Sequence, residues 1–119
     1  MAIIGIGTDI IEIDRIKELI ERQPRFLDRV YTKRELEICL NKENKYSSLS
    51  ARFAAKESVA KALGSALGWH EVEILSNPDG SPDVRLNGRA LGLVSKGKIF
   101  VSLSHSKYYA TAIALVEME

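Results

Sequence analysis

The stretch Arg52-Phe53-Ala54-Ala55-Lys56-Glu57-Ser58-Val59-Ala60-Lys61-Ala62-Leu63-Gly64 decides how the rest of the chain can be arranged. It is rich in Ala, Lys and Glu, contains no Pro and ends on a Gly, so it reads as a helix that stops there. At ~100° per residue, Phe53, Glu57, Ala60 and Gly64 share one side, with Lys61 on its edge. Apart from Glu57 that side is small or apolar, which predicts a packing face. A carboxylate on such a face is costly unless a cation or donors meet it. The alternative is a surface i,i+4 pair of Glu57 with Lys61, worth ~0.3–0.5 kcal/mol. The helix alone does not decide between them.

Towards the N-terminus, Ile3 to Ile11 reads as a strand, with Gly5, Gly7 and Asp9 on one face. Two glycines weaken a strand unless something approaches its backbone closely. A dinucleotide-binding loop is excluded, because Ile10 stands where the third Gly of G-x-G-x-x-G belongs. Asp9 then reads either as a functional carboxylate at the strand end or as a helix cap. Ile10, Ile13, Ile16, Leu19 and Ile20 predict a helix from about Ile10 to Gln23, closed by Pro24. Its polar side carries Arg15 and Arg22, followed by Arg25. Thr32-Lys33-Arg34-Glu35 fits a capping box, residues 41–45 read as a polar loop, and Ser47 or Ser48 is the expected cap of the central helix.

Towards the C-terminus, Trp69 is expected over the end of that helix. Val72–Leu75 and Asp83–Leu86 are strand candidates around the turn signal Asn77-Pro78-Asp79-Gly80-Ser81-Pro82. Residues 89–94 suggest a short helix. Residues 99–104 and 109–116 read as paired strands, with His105, Ser106 and Lys107 in the connecting loop. The expected fold is α+β: one domain, residues 1–119, with an antiparallel sheet and helices on one side.

With 119 residues, 17 basic against 16 acidic and a net charge of +1, the chain has no global field for nucleic acid. The single Cys39 cannot form an intramolecular disulfide, and no Cys/His spacing suits zinc. No signal peptide or membrane span is legible, so the expected location is the cytoplasm. The remaining chemistry is a pair of carboxylates, Asp9 and Glu57, with Lys and Arg nearby. That set suits a hard divalent cation bound jointly with phosphates, and phosphoryl transfer is its natural use.

Three stretches then carry a resemblance. They are Gly5-Ile6-Gly7-Thr8-Asp9-Ile10-Ile11-Glu12-Ile13 with Arg15-Ile16, Arg52 to Glu57 with Lys61 to Gly64, and Val101-Ser102-Leu103-Ser104-His105-Ser106 with Tyr109-Ala110. In order and spacing the chain closely resembles the holo-acyl-carrier-protein synthase family, the small bacterial 4′-phosphopantetheinyl transferases. The resemblance implies transfer of phosphopantetheine from coenzyme A to a serine of apo-acyl carrier protein by a homotrimer with sites between subunits. It implies Mg²⁺, with Mn²⁺ as a substitute, on Asp9 and Glu57, and Lys61 at the phosphates, all three catalytic. It places Arg52, His105 and Ser106 around the nucleotide, Gly80 and Pro82 beside the adenine, and Arg15, Arg22 and Arg25 against the carrier. The proton acceptor stays open between Glu57, directly or through a water, and His105. Two departures stand out: a connection shortened between Gly68 and Val72, and Ser58 in place of a small apolar residue.

Overall fold

Ala2–Glu12 form the first strand, β1, and the chain passes directly into helix α1, Ile13–Arg22. The computed structural model describes residues 1–118; Glu119, the last residue of the expected domain, lies outside the described residues. Helix α2 (Phe26–Val30) and helix α3 (Lys33–Cys39) follow. The start of α3 is the expected capping box: the Thr32 hydroxyl accepts from the Glu35 amide at 3.2 Å, and Glu35 accepts from the Thr32 amide at 2.9 Å. The long helix α4, Lys45–Leu63, stops at Gly64, whose φ of 64° is the left-handed cap expected of that glycine. A 3₁₀ turn at Trp69–Glu71 leads into a hairpin of β2 (Val72–Ser76) and β3 (Pro82–Leu86). Helix α5 (Gly88–Val94) and strands β4 (Lys98–His105) and β5 (Tyr109–Met118) complete the order.

The strands form two antiparallel sheets, β1-β5-β4 and β2-β3. Helix α4 lies across one face of the three-stranded sheet and touches all three strands, while α1 and α3 pack onto α4. This is the expected α+β arrangement. Small residues make the close approach possible. Ala112 and Ala114 of β5 are almost fully or fully buried beneath Ala54, Ala55, Val59 and Ala62 of α4, and Ala110 is buried with Ala51 and Ile13. At Gly5 an added Cβ would fall on the Ala62 carbonyl, and at Gly7 on that of Ser58. The glycines of β1 therefore exist for the backbone of α4. A second core gathers Ile16, Phe26, Val30, Tyr31, Cys39 and Leu49 between the helices.

Several boundaries differ from expectation. Ile10 to Glu12 stay in β1, paired with Thr111, Ala110 and Tyr109, so sheet pairing overrides their helical spacing. Asp9 is thus inside a strand and caps nothing. Neither Ser47 nor Ser48 caps α4: the helix starts two turns before Arg52, behind Asn44, and Ser48 is buried within it. Arg52 is therefore in mid-helix rather than at its beginning. The side bearing Phe53, Glu57 and Ala60 is half-buried, whereas Ala54, Ala55, Ser58, Val59 and Ala62 make the packing face. Trp69 does not cover the helix end; its ring lies 5.1 Å from that of Phe53. His105 is the last residue of β4 rather than a loop residue.

Candidate active site

Asp9 is held by its strand. It lies opposite Ala112 in β5, and its carbonyl accepts from the Thr111 hydroxyl at 2.8 Å. Because Gly7 lets α4 come against β1, Lys61 reaches across. Its ammonium donates to the Thr8 carbonyl at 2.9 Å and to the Asp9 carboxylate at 3.2 Å. The lysine thus pairs with Asp9, and the surface pair with Glu57 is not what forms. Glu57 sits one turn back on the open side of α4. Burial and the nearby Asp9 carboxylate push its carboxyl above the usual value, and Lys61 pulls it partly back. Ser58, beside it, is accommodated by bonding: its hydroxyl lies 2.8 Å from the Ala54 carbonyl and 3.1 Å from that of Ala112, tying α4 to β5.

Two carboxylates that raise one another's energy, with an ammonium on one of them, are a fit for a divalent cation. The donors are hard oxygens. Among the described residues no group of three or more His, Cys, Asp or Glu forms, so further ligands must come from water or from a phosphate-bearing substrate. Asp9 and Glu57 are the residues that could hold such an ion.

A second constellation forms a cleft of about 270 Å³, where Arg52, Gly80, Pro82 and His105 converge. The expected nucleotide residues are thus brought together, with two exceptions. Lys61 stays with Asp9, and Ser106 serves the β4–β5 turn, where its hydroxyl accepts from the Tyr109 amide at 3.4 Å. Gly80, with φ of 89°, turns the β2–β3 loop so that its amide donates to Asn77 at 2.9 Å. Arg52 is buried in mid-helix. Its Nε donates to the Ile74 carbonyl at 3.0 Å, and its Nη atoms to the hydroxyls of Ser48 at 2.8 Å and Ser76 at 3.0 Å. The arginine holds the cleft's wall as well as lining it. Lys42 and Asn44 also line the cleft; read from sequence they were only a polar loop.

Along α4, Arg52 and Glu57 are five residues apart, a rise of about 7.5 Å. One helix therefore serves both the carboxylate pair and the cleft. The basic edge is present as expected: Arg15, Arg22 and Arg25 are exposed, with Arg22 paired to Glu18 at 3.0 Å. Arg22, Arg25 and Arg29 rim a shallow groove floored by Pro24 and Phe26. Arg29 carried no sequence signal, since α2 itself was not legible. No helix among the described residues is long and apolar enough to cross a membrane.

Comparison with known proteins gives the chain's family. Residues 5–114 match the model of the 4′-phosphopantetheinyl transferase superfamily. The chain is 50% identical to the holo-[acyl-carrier-protein] synthase of Moorella thermoacetica, over 93% of this chain and 91% of that one. It is 47% identical to the protein of the same name from Chlamydia felis, over 97% and 98%. A crystal structure of a holo-(acyl-carrier-protein) synthase from Bacillus anthracis in complex with CoA (3′,5′-ADP) is 28% identical. It superposes with a TM-score of 0.82, covering 98% of both chains. The chain belongs to the 4′-phosphopantetheinyl transferase superfamily and, within it, to the holo-[acyl-carrier-protein] synthases.

Proposed function

We propose that this enzyme moves the 4′-phosphopantetheine group of coenzyme A onto a serine of apo-acyl carrier protein and releases adenosine 3′,5′-bisphosphate. Residues 1–119 act as one domain, in the cytoplasm, with Mg²⁺ as the metal and three copies forming a trimer. The observation that carries the reading is the ammonium of Lys61 on Asp9, with Glu57 one turn away on the helix that also lines the Arg52–His105 cleft.

Asp9 and Glu57 hold the metal, and Arg52, Gly80, Pro82 and His105 receive the nucleotide end of coenzyme A. When bound, the ion supplies charge neutralisation at the pyrophosphate. The serine oxygen forms the new bond to the β-phosphorus, and the bond from that phosphorus to the adenosine bisphosphate oxygen breaks. Lys61 stabilises the charge that develops on the departing phosphate. The serine proton passes to Glu57, directly or through a water, because a carboxylate in reach of the attacking hydroxyl can accept it. The basic edge of Arg15, Arg22 and Arg25 meets an acidic face of the carrier.

The test is to incubate the protein with coenzyme A, Mg²⁺ or Mn²⁺, and apo-carrier protein, and to weigh the carrier. A gain of one phosphopantetheine is the expected result. Inorganic phosphate released from nucleotides without need of carrier would make it a phosphohydrolase instead. Tight metal-independent binding without turnover would make it a binding module.

A further inference from the structure

Among the described residues, strand β2 is paired on one side only, with β3. On an antiparallel edge, alternate residues point their N–H and C=O away from the partner strand. In β2 these groups are buried rather than solvated, because Val72 and Ile74 are buried. Side chains close this edge. The Lys56 ammonium donates to the Val72 carbonyl at 2.5 Å, to the Trp69 carbonyl at 2.8 Å and to the Glu35 carboxylate at 2.8 Å. The other oxygen of Glu35 accepts from the Ile74 amide at 2.8 Å, while Arg52 takes the Ile74 carbonyl. Glu35 comes from α3 and Lys56 from α4, so the pair clamps the hairpin between two helices.

The pair is almost wholly buried, with side-chain exposures of 2% for Lys56 and 0% for Glu35. Burying two charges is a poor route to stability, and apolar replacements of such pairs are often no worse. An apolar pair, however, would leave the Trp69 and Val72 carbonyls and the Ile74 amide without partners. The far end of the same hairpin is the Gly80–Pro82 turn, which faces Arg52 and His105 across the cleft. Where β2 sits on α4 therefore sets how wide that cleft is.

We propose that Glu35 and Lys56 are positioning residues that close the free edge of β2 and thereby set the spacing of the nucleotide cleft. The inference rests on the functional reading above for the identity of the ligand. Neither residue touches the reacting groups.

The test is the variant E35Q/K56M, which removes both charges together and leaves neither unpaired. The KM for coenzyme A should rise about tenfold, with kcat within about threefold and the carrier KM unchanged. Amide exchange should quicken in β2 and β3 but not in β5. Wild-type KM and hairpin exchange in this variant would overturn the proposal. So would a uniform loss, with exchange quickened throughout and kcat falling along with both KM effects, because that marks a purely structural pair. Should the variant not fold, Lys56→Arg keeps the charge but displaces β2; a raised coenzyme A KM supports the proposal, and an unchanged one overturns it. If wild type transfers nothing to the carrier, the functional reading fails. Hairpin exchange and calorimetric titration with adenosine 3′,5′-bisphosphate then still decide whether the pair positions the cleft.

Discussion

A Cβ at Gly7 would press into the Ser58 carbonyl and the Ala62 amide, both backbone atoms of α4 that cannot swing aside. Gly7→Ala should therefore push α4 away from β1 and cost about 3 kcal/mol or more in urea unfolding, at the upper end for overpacking. It should also slow transfer, since Lys61 must bridge that gap to Asp9. A Gly7→Ala variant of wild-type stability would show that the two elements can separate freely. At the carboxylates, Asp9→Asn and Glu57→Gln should each abolish transfer while leaving a cooperative melt. Mg²⁺ should raise the Tm of wild type in the presence of coenzyme A and leave that of either variant unmoved. An equal Mg²⁺ shift in all three proteins would place the ion elsewhere. These three residues were legible because a carboxylate after two bare glycines, and another on an Ala-rich helix, are each unfavourable without a purpose. The burial of Arg52 was not legible: it depends on Ile74 and Ser76, more than twenty residues away, and no local pattern reports them.

Among the elements, α4 and its glycine cap were legible from composition, and the strand pairs from their alternation and turn residues. The beginning of α4 was not, because Asn44 makes no side-chain cap bond and so leaves no capping signature. The end of β1 was not either, since Ile10 and Ile13 satisfy helical spacing until β5 claims Ile10 to Glu12 as partners. Contacts between elements yield a pH prediction. Glu73 of β2 accepts from the Thr32 hydroxyl and from Arg34, both at 2.5 Å. Burial raises its carboxyl, but the bonds from Arg34 and Thr32 outweigh that and hold it below the ordinary value. A depressed carboxyl stabilises the fold above its unfolded pKa of about 4.3, and the contribution is lost as pH falls through the lower folded value. Glu73→Gln should accordingly flatten the loss of Tm between about pH 5 and pH 3. A variant with the wild-type acid limb would refute the linkage. On α1, Arg15→Glu should raise the carrier KM and weaken its salt dependence, with the coenzyme A KM steady. Equal losses for both substrates would point to a damaged helix instead.

Seen whole, the molecule exposes 7196 Å², against the roughly 6,400 Å² that a folded monomer of this mass presents on average. The excess is not evenly spread. Among the described residues nothing covers the face of the three-stranded sheet away from α4, and beside Thr8, Ser102 and Ser104 it carries large exposed apolar side chains: Ile6 is 62% exposed, Ile10 65%, Phe100 52% and Ile113 44%. Alternation explains why they gather. Gly5, Gly7 and Asp9 must face α4, so Ile4, Ile6 and Ile10 of β1 face out; register then sets Leu115 and Ile113 of β5 beside them, with Phe100 of β4 next to Leu115. A bare apolar sheet face of this kind marks an association surface. It is also the natural seat of the proposed trimer contact, and it backs the strands that hold Asp9 and His105. Because β5 is the central strand, a charge at Ile113 would meet that contact from the middle of the sheet while leaving the α4 core untouched. Ile113→Asp should therefore give a monomer by light scattering coupled to size exclusion, with far-ultraviolet circular dichroism unchanged. Transfer should be lost with assembly, since the family resemblance implies sites between the subunits of the trimer. An Ile113→Asp monomer that transfers phosphopantetheine at micromolar concentration would show that one chain holds a complete site, and the shared cleft would fall while the carboxylate pair stood.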